Sequence, residues 1–341
     1  MRRIALVVMV LVLAAAAAWP GRIEGQAAKV DGKIVWRADS IFAASHRIQT
    51  ELLETWAAEI GKRSQGRLEI KWFAGGQLAL GAANSLRVLQ ARSVDVVGLV
   101  YSAAAGDMPA LSFPSLPMLF SERGPDGVAE MWRKTRAIWE REFAKWDIIP
   151  LLYYMADEQI IYNGRRPVNK LEDLKGLKLR FYSREHAQFL QGLGASPTSV
   201  SYNEMVSAAQ RGVIDGVITG GYTGVSFSLW DARQKFALVD VGLDYVPLIV
   251  GVSRKAWNEL PADLQAIVRQ VTEESEARAA GIAKTIQRDS WKTLESHGVT
   301  LTRLSAADHA KARSAGQEII EAWVTKAGPV GKELIEATRS R

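Results

Sequence analysis

The chain has 341 residues, 48% of them hydrophobic and 23% charged, a balance that suits a globular protein with material for two cores. It contains no cysteine, which excludes disulfides, thiol catalysis and thiolate metal sites. Its net charge of +6 is spread thinly, in pairs such as Lys62–Arg63 and Arg165–Arg166, which speaks against nucleic-acid binding and leaves a mild field favourable to anionic small molecules.

Arg2 and Arg3 precede an apolar, alanine-rich run from Ile4 to Ala18. This is the pattern of a secretory signal and is too short for a membrane span. We expect residues 1–27 to be a signal peptide. A cut near Ala17 is the alternative site, and an uncleaved anchor is the competing reading.

Strands and helices then alternate. KIVWRAD (33–39) reads as a strand, followed by a helix whose apolar stripe is Ile48, Leu52, Leu53, Trp56 and Ile60, ended by Gly66. LEIKWF (68–73) alternates like a strand, residues 82–92 are helical by pattern, and DVVGLVY (95–101) reads as a strand covered on both faces. An amphipathic helix over 125–146 leads into the strand IIPLLYYM (148–155). A second cycle follows: a strand over 177–182, a helix over 185–193, a helix over 202–210, and the strand VIDGVIT (213–219). ARSVDVVGLV and QRGVIDGVIT echo each other as helix end, aspartate and apolar strand. These units predict two similar α/β lobes with mostly parallel sheets. Strands over 236–241 and 246–252 are expected to return the chain to the first lobe. Residues 262–296 contain no proline and one glycine, so they predict a single helix long enough to span both lobes. The last predicted helix covers 306–326. The expected organisation is lobe I from 28–150, completed by about 236–275, and lobe II from 151–235, completed by about 276–341.

In open parallel sheets, ligands sit beyond the carboxyl ends of the strands. LKGLKLRFYS (174–183) ends a strand on Arg180, whose planar fork of donors matches a carboxylate. The competing roles for Arg180 are a surface side chain near Glu185 or one half of a structural ion pair. TGGYTG (219–224) ends another strand and offers Thr219, Gly220 and Tyr222. In the first lobe, Phe42, Gln77 and Tyr101 each follow or end a strand and are expected to face the same crevice. Signals for catalysis are missing. The four histidines lack metal-ligand spacing, and no nucleophile elbow or phosphate-binding glycine loop occurs. An enzyme would need an acid–base pair, for which Asp157 and Glu158 are the candidates.

KRSQGRLEIKWFAGGQL (62–78), FPSLPMLF (113–120), NGRRPVNKLEDLKGLKLRF (163–181), QRGVIDGVITG (210–220) and AWNELPADLQ (256–265) together resemble the solute-binding proteins of tripartite ATP-independent periplasmic (TRAP) transporters, of the DctP-like type. The resemblance implies a two-lobed periplasmic-binding-protein fold with an interlobe cleft and a long helix lying across both lobes. It implies capture of a small organic acid, delivery to TRAP membrane permease subunits, a periplasmic location, no enzymatic turnover and no cofactor. The protein is expected to be a monomer. The family's carboxylate-binding arginine falls on Arg180. Many members carry a second arginine where this chain has Gln159, and an asparagine where it has Thr219. Some place a metal-ligating glutamate where Ile218 stands, so no metal is expected. With Phe42, Tyr101, Tyr222 and Trp230 taken as pocket walls, the expected ligand is an aromatic or branched monocarboxylate. A ligand-presenting partner for a membrane sensor is the alternative.

Overall fold

The computed structural model describes residues 28–30, 32–120 and 123–339. The expected signal peptide lies outside the described residues. No helix among the described residues is long and apolar enough to cross a membrane.

The chain builds two six-stranded sheets. The first contains β1 (Ala28–Val30), β2 (Lys33–Ser40), β3 (Leu68–Phe73), β4 (Val96–Val100), β5 (Ile148–Met155) and β11 (Pro247–Ser253). The second contains β6 (Gln159–Asn163), β7 (Lys178–Phe181), β8 (Ser196–Ser199), β9 (Gly216–Gly220), β10 (Phe236–Leu238) and β12 (Thr300–Thr302). β2 pairs in parallel with β3 and β4, and β7 with β8 and β9, as expected of strand–helix–strand units. The sheets are nevertheless mixed. β11 runs antiparallel to both β4 and β5, and β6 antiparallel to both β9 and β10. The reason is topological: β6 enters the second lobe and β11 returns to the first, so each opposes its new neighbours.

Both sheets are covered on both faces. Val96, Tyr154 and Val250 lie in one core of the first lobe, while their chain neighbours Val97, Tyr153 and Ile249 lie in the other. In the second lobe Ile161 and Ile218 fall in one core and Ile160 and Val217 in the other. This is the period-two alternation of a strand acting on runs with no polar face. The sheet tolerates little added volume. A Cβ on Gly216 in β9 would lie 2.0 Å from the Tyr162 carbonyl oxygen of β6. Gly216→Ala is expected to destabilise the protein by about 1–3 kcal/mol or more through overpacking, read as a lower denaturation midpoint. An unchanged midpoint would show that the two strands can separate freely.

Three expected boundaries move. All of β5 pairs in the first sheet, so the division near 150 falls inside a first-lobe strand. β10 pairs with β6 and β12, so it belongs to the second lobe, and only β11 returns to the first. Of residues 276–341, expected to complete the second lobe, Trp323, Leu334 and Ile335 pack instead in a core of the first. Leu334 and Ile335 sit on a helix, Pro329–Arg339, that follows Gly328 and that sequence reading missed.

The lobes are joined by two crossovers, residues 156–158 and 239–246, which bond to each other: Ala156 N donates to Tyr245 O at 3.0 Å and to Val246 O at 3.2 Å. The helix Ala262–Ser296 has 35 residues, as its pattern predicts, and contacts both lobes. Its first half meets lobe I, where Trp56 Nε1 donates to Thr272 Oγ1 at 3.0 Å. Leu294 at its far end lies in a core of lobe II.

Candidate functional site

A cavity of about 680 Å³ opens between the lobes, lined by strand ends of both sheets and by the crossovers. That volume suits a small organic molecule. Among the described residues its lining contains one cation, Arg180, and two carboxyl side chains, Asp39 and Asp157.

Arg180 is held inside β7 between two parallel strands. Its Nε donates to Val200 O and its Nη1 to Ile218 O, each at 3.1 Å. Two backbone carbonyls thus fix the plane of the guanidinium and leave Nη2 free to face the cavity. The side chain is 5% exposed. Among the described residues it forms no ion pair, with Glu185 or any other acid. Burial lowers its pKa, while the phenols of Tyr182 and Tyr202 pull it up. A desolvated cation without a counter-charge is costly, and an incoming carboxylate relieves that cost.

Thr219 on β9 and Gln159 on β6 both line the cavity and are nearly fully buried. Phe42 lines it from lobe I, its ring stacked on His46 at 4.3 Å. Gly220 acts differently. A Cβ at that position would lie 2.3 Å from Asp157 Oδ1, so the glycine lets the carboxylate close in without itself forming the wall.

The other expected wall residues lie elsewhere. Tyr101 is fully buried in a core of lobe I, 4.9 Å from Trp132 and 5.1 Å from Trp139. The chain turns at the end of β4, so the ring enters the aromatic cluster and not the cleft. Its hydroxyl has no hydrogen-bond partner among the described residues. Tyr101→Ala is therefore expected to destabilise the fold by about 3–5 kcal/mol. Tyr101→Phe should leave both stability and ligand affinity close to wild type, and a selective loss of ligand affinity in Tyr101→Phe would return the residue to the site. Gln77 is exposed, although its neighbours Gly75 and Gly76 line the cavity. Tyr222 lies on a short helix, Gly221–Ser226. Its ring sits edge-on to His46 at 4.8 Å and its hydroxyl donates to Ser45 O at 3.5 Å, outside the cavity lining. Trp230 stacks on His297 at 4.0 Å, also away from it. Three of the four rings that argued for an aromatic or branched ligand are thus not pocket walls.

Sequence reading missed Asp39, Tyr182 and the segment 199–203 as cavity residues. Asp39 stands at the end of a strand that was read correctly, so its position was the available signal. The segment starts at the last residue of β8, SPTS, whose proline and serines hide a strand from pattern reading. Tyr182 anchors the wall to the second crossover, donating its hydroxyl to Asp244 Oδ2.

Asp157 and Glu158 do not form a catalytic pair at one point. Asp157 lines the cavity and accepts a hydrogen bond from Tyr222 N. Glu158 turns to the scaffold, accepting from Asp240 N at 2.6 Å and from Gln287 Nε2 of the long helix at 2.8 Å. Burial pushes Asp157 up to about 7 and Glu158 up to about 8.

Comparison with known proteins agrees with this geometry. Residues 40–326 match the model of the bacterial extracellular solute-binding proteins, family 7 (DctP). A solute-binding protein of Sulfitobacter sp. (strain NAS-14.1) is 26% identical over 251 residues, 73% of this chain and 75% of the relative. The crystal structure of DctP7, a Bordetella pertussis extracytoplasmic solute receptor binding pyroglutamic acid, superposes with a TM-score of 0.82 at 26% identity, covering 90% of this chain and 99% of that one. A TRAP periplasmic solute-binding protein from Ralstonia eutropha has the same fold, with a TM-score of 0.81 at 23% identity over 90% of this chain and 99% of its own. The two lobes, the cleft between them and the match over most of the chain lead to one conclusion: this protein belongs to family 7 of the bacterial extracellular solute-binding proteins.

Proposed function

We propose that the protein captures a small organic carboxylate between its lobes, outside the cytoplasm, and delivers it to a TRAP-type membrane permease. One observation carries the reading: Arg180 is a buried guanidinium, oriented by two backbone carbonyls, unpaired, and facing a cavity of ligand size. The likeness to DctP7, which binds pyroglutamic acid, supports an acid as the solute. The signal-like segment 1–27 supports export to the periplasm, and a monomer of two lobes is sufficient for capture.

The test is a thermal-shift screen of protein lacking residues 1–27 against aromatic, branched, hydroxylated, cyclic and dicarboxylic acids, with Arg180→Ala in parallel. A ligand at about 100 times its dissociation constant stabilises by about 2.7 kcal/mol. The expected result is a shift for one class of acid that disappears in the variant. Shifts of equal size in both proteins would remove the carboxylate role from Arg180. Transport of the acid identified, into vesicles carrying the permease and dependent on added binding protein, tests the delivery step.

A further inference from the structure

The cavity wall carries more carboxyl groups than cations among the described residues. Asp39 and Asp157 face it together with the single cation Arg180. A hydrocarbon monocarboxylate would bring a third carboxyl group into this buried space and offer no hydrogen-bond donor to the two already there. Asp157 is partly served, since Tyr222 N donates to its Oδ2. Asp39 is not: its Oδ1 is buried and has no hydrogen-bond partner among the described residues, and the residue is 7% exposed. Burial raises its pKa. A buried acceptor left without a donor costs about 1–3 kcal/mol, and proteins retain such groups where something else supplies the donor. The fold places this acceptor at the end of β2 in lobe I, while Arg180 sits on β7 in lobe II.

We propose that the solute carries, beside its carboxylate, an N–H or O–H group that donates to Asp39, which makes Asp39 the specificity-determining residue of lobe I. The inference rests on the reading of Arg180 as the carboxylate receptor and names the chemistry of the ligand's other end. Such a solute bridges the lobes, its carboxylate held by Arg180 and its donor by Asp39. An acid without a donor can satisfy only lobe II. The polar neighbours Gln159, Thr219 and Thr223 in the same lining fit a ligand with polar groups beyond its carboxylate.

Matched pairs of acids test this by titration calorimetry on protein lacking residues 1–27. Three pairs serve: pyroglutamate against its lactone analogue with a ring oxygen in place of N–H, proline against cyclopentanecarboxylate, and 2-hydroxyisovalerate against isovalerate. Wild type, Asp39→Asn and Arg180→Ala are compared. In any pair that binds, the donor-bearing acid is expected to bind at least about tenfold more tightly to wild type. In Asp39→Asn that advantage should shrink to within about threefold, and both acids should lose affinity in Arg180→Ala. The wild-type comparison needs no variant, so a folding defect in Asp39→Asn would not hide the answer. Equal or tighter binding of the donor-free acid, or an advantage that persists in a folded Asp39→Asn, overturns the role of Asp39 and leaves the carboxylate reading standing. Binding of none of the six acids overturns the carboxylate reading and this inference with it.

Discussion

Arg180→Ala is expected to remove ligand binding while leaving a folded protein. The two parts of that expectation have separate causes. A charge-assisted hydrogen bond to a carboxylate contributes about 1.5–3 kcal/mol, and a guanidinium fork makes two. The variant should therefore lose at least about tenfold, and with both bonds about a hundredfold or more, in affinity. The stability of the empty protein is held by opposing terms. The variant frees the carbonyls of Val200 and Ile218, which Arg180 now satisfies at 3.1 Å each. It also removes a buried cation that has no counter-charge. Arg180→Lys should bind nearly as poorly as Arg180→Ala, because an ammonium cannot bond two carbonyls and also present a fork. Calorimetry with the acid found in the screen, beside melting curves of the empty proteins, measures both effects. Retained affinity in Arg180→Lys would mean that charge alone, and not fork geometry, selects the ligand.

The second large effect is on stability against pH. Asp157, raised to about 7, and Glu158, raised to about 8, hold their protons in the folded protein over a range where the unfolded chain has released them. For an acid shifted upward, the folded state binds more protons than the unfolded state, so stability falls as pH rises toward the folded pKa. His46, lowered by burial to about 4, acts the other way, but only below its ordinary pKa of 6.5. Between pH 6.5 and 9 the slope therefore belongs to the carboxylates. At 1.36 kcal/mol per pH unit for each protonated group, the pair should lose roughly 3 kcal/mol across that window. Glu158→Gln should flatten the fall, because the amide keeps an acceptor for Asp240 N or Gln287 without ionising. Denaturation midpoints at pH 6.5, 7.5 and 9 test this. A constant or rising midpoint in wild type would show that the crossovers let water reach both carboxylates. Ionised Asp157 also adds a negative charge to the cavity, so carboxylate affinity should weaken over the same range.

The two effects differ in what made them visible. Arg180 was found because a charged residue closing an apolar strand run is a pattern along the chain, and the resemblance of LEDLKGLKLR singled it out further. The raised carboxylates needed the fold, since Asp157 and Glu158 are adjacent in sequence yet face different surroundings. Period and punctuation are local properties, and they placed β5 and the helix Ala262–Ser296 at their observed limits. The helix Pro329–Arg339 escaped because it follows a glycine and opens on a proline, a pair that reads as an ending.

What the sequence determined by itself was the alternation of elements, the two-lobed plan and the arginine that lines the interlobe cavity. These follow from hydrophobic period, strand ends and a motif order spanning the chain. What only the tertiary structure decided was direction. Phe42 and Tyr101 both follow first-lobe strands, yet the first turns into the cleft and the second into an aromatic core. Asp39 ends a strand as Arg180 occupies one, and its oxygen is left without a donor by the packing of every neighbour around it. A strand end brings a side chain to the rim of a sheet. Whether it then meets solvent, core or ligand depends on contacts between residues far apart in the chain, and no local pattern carries that information.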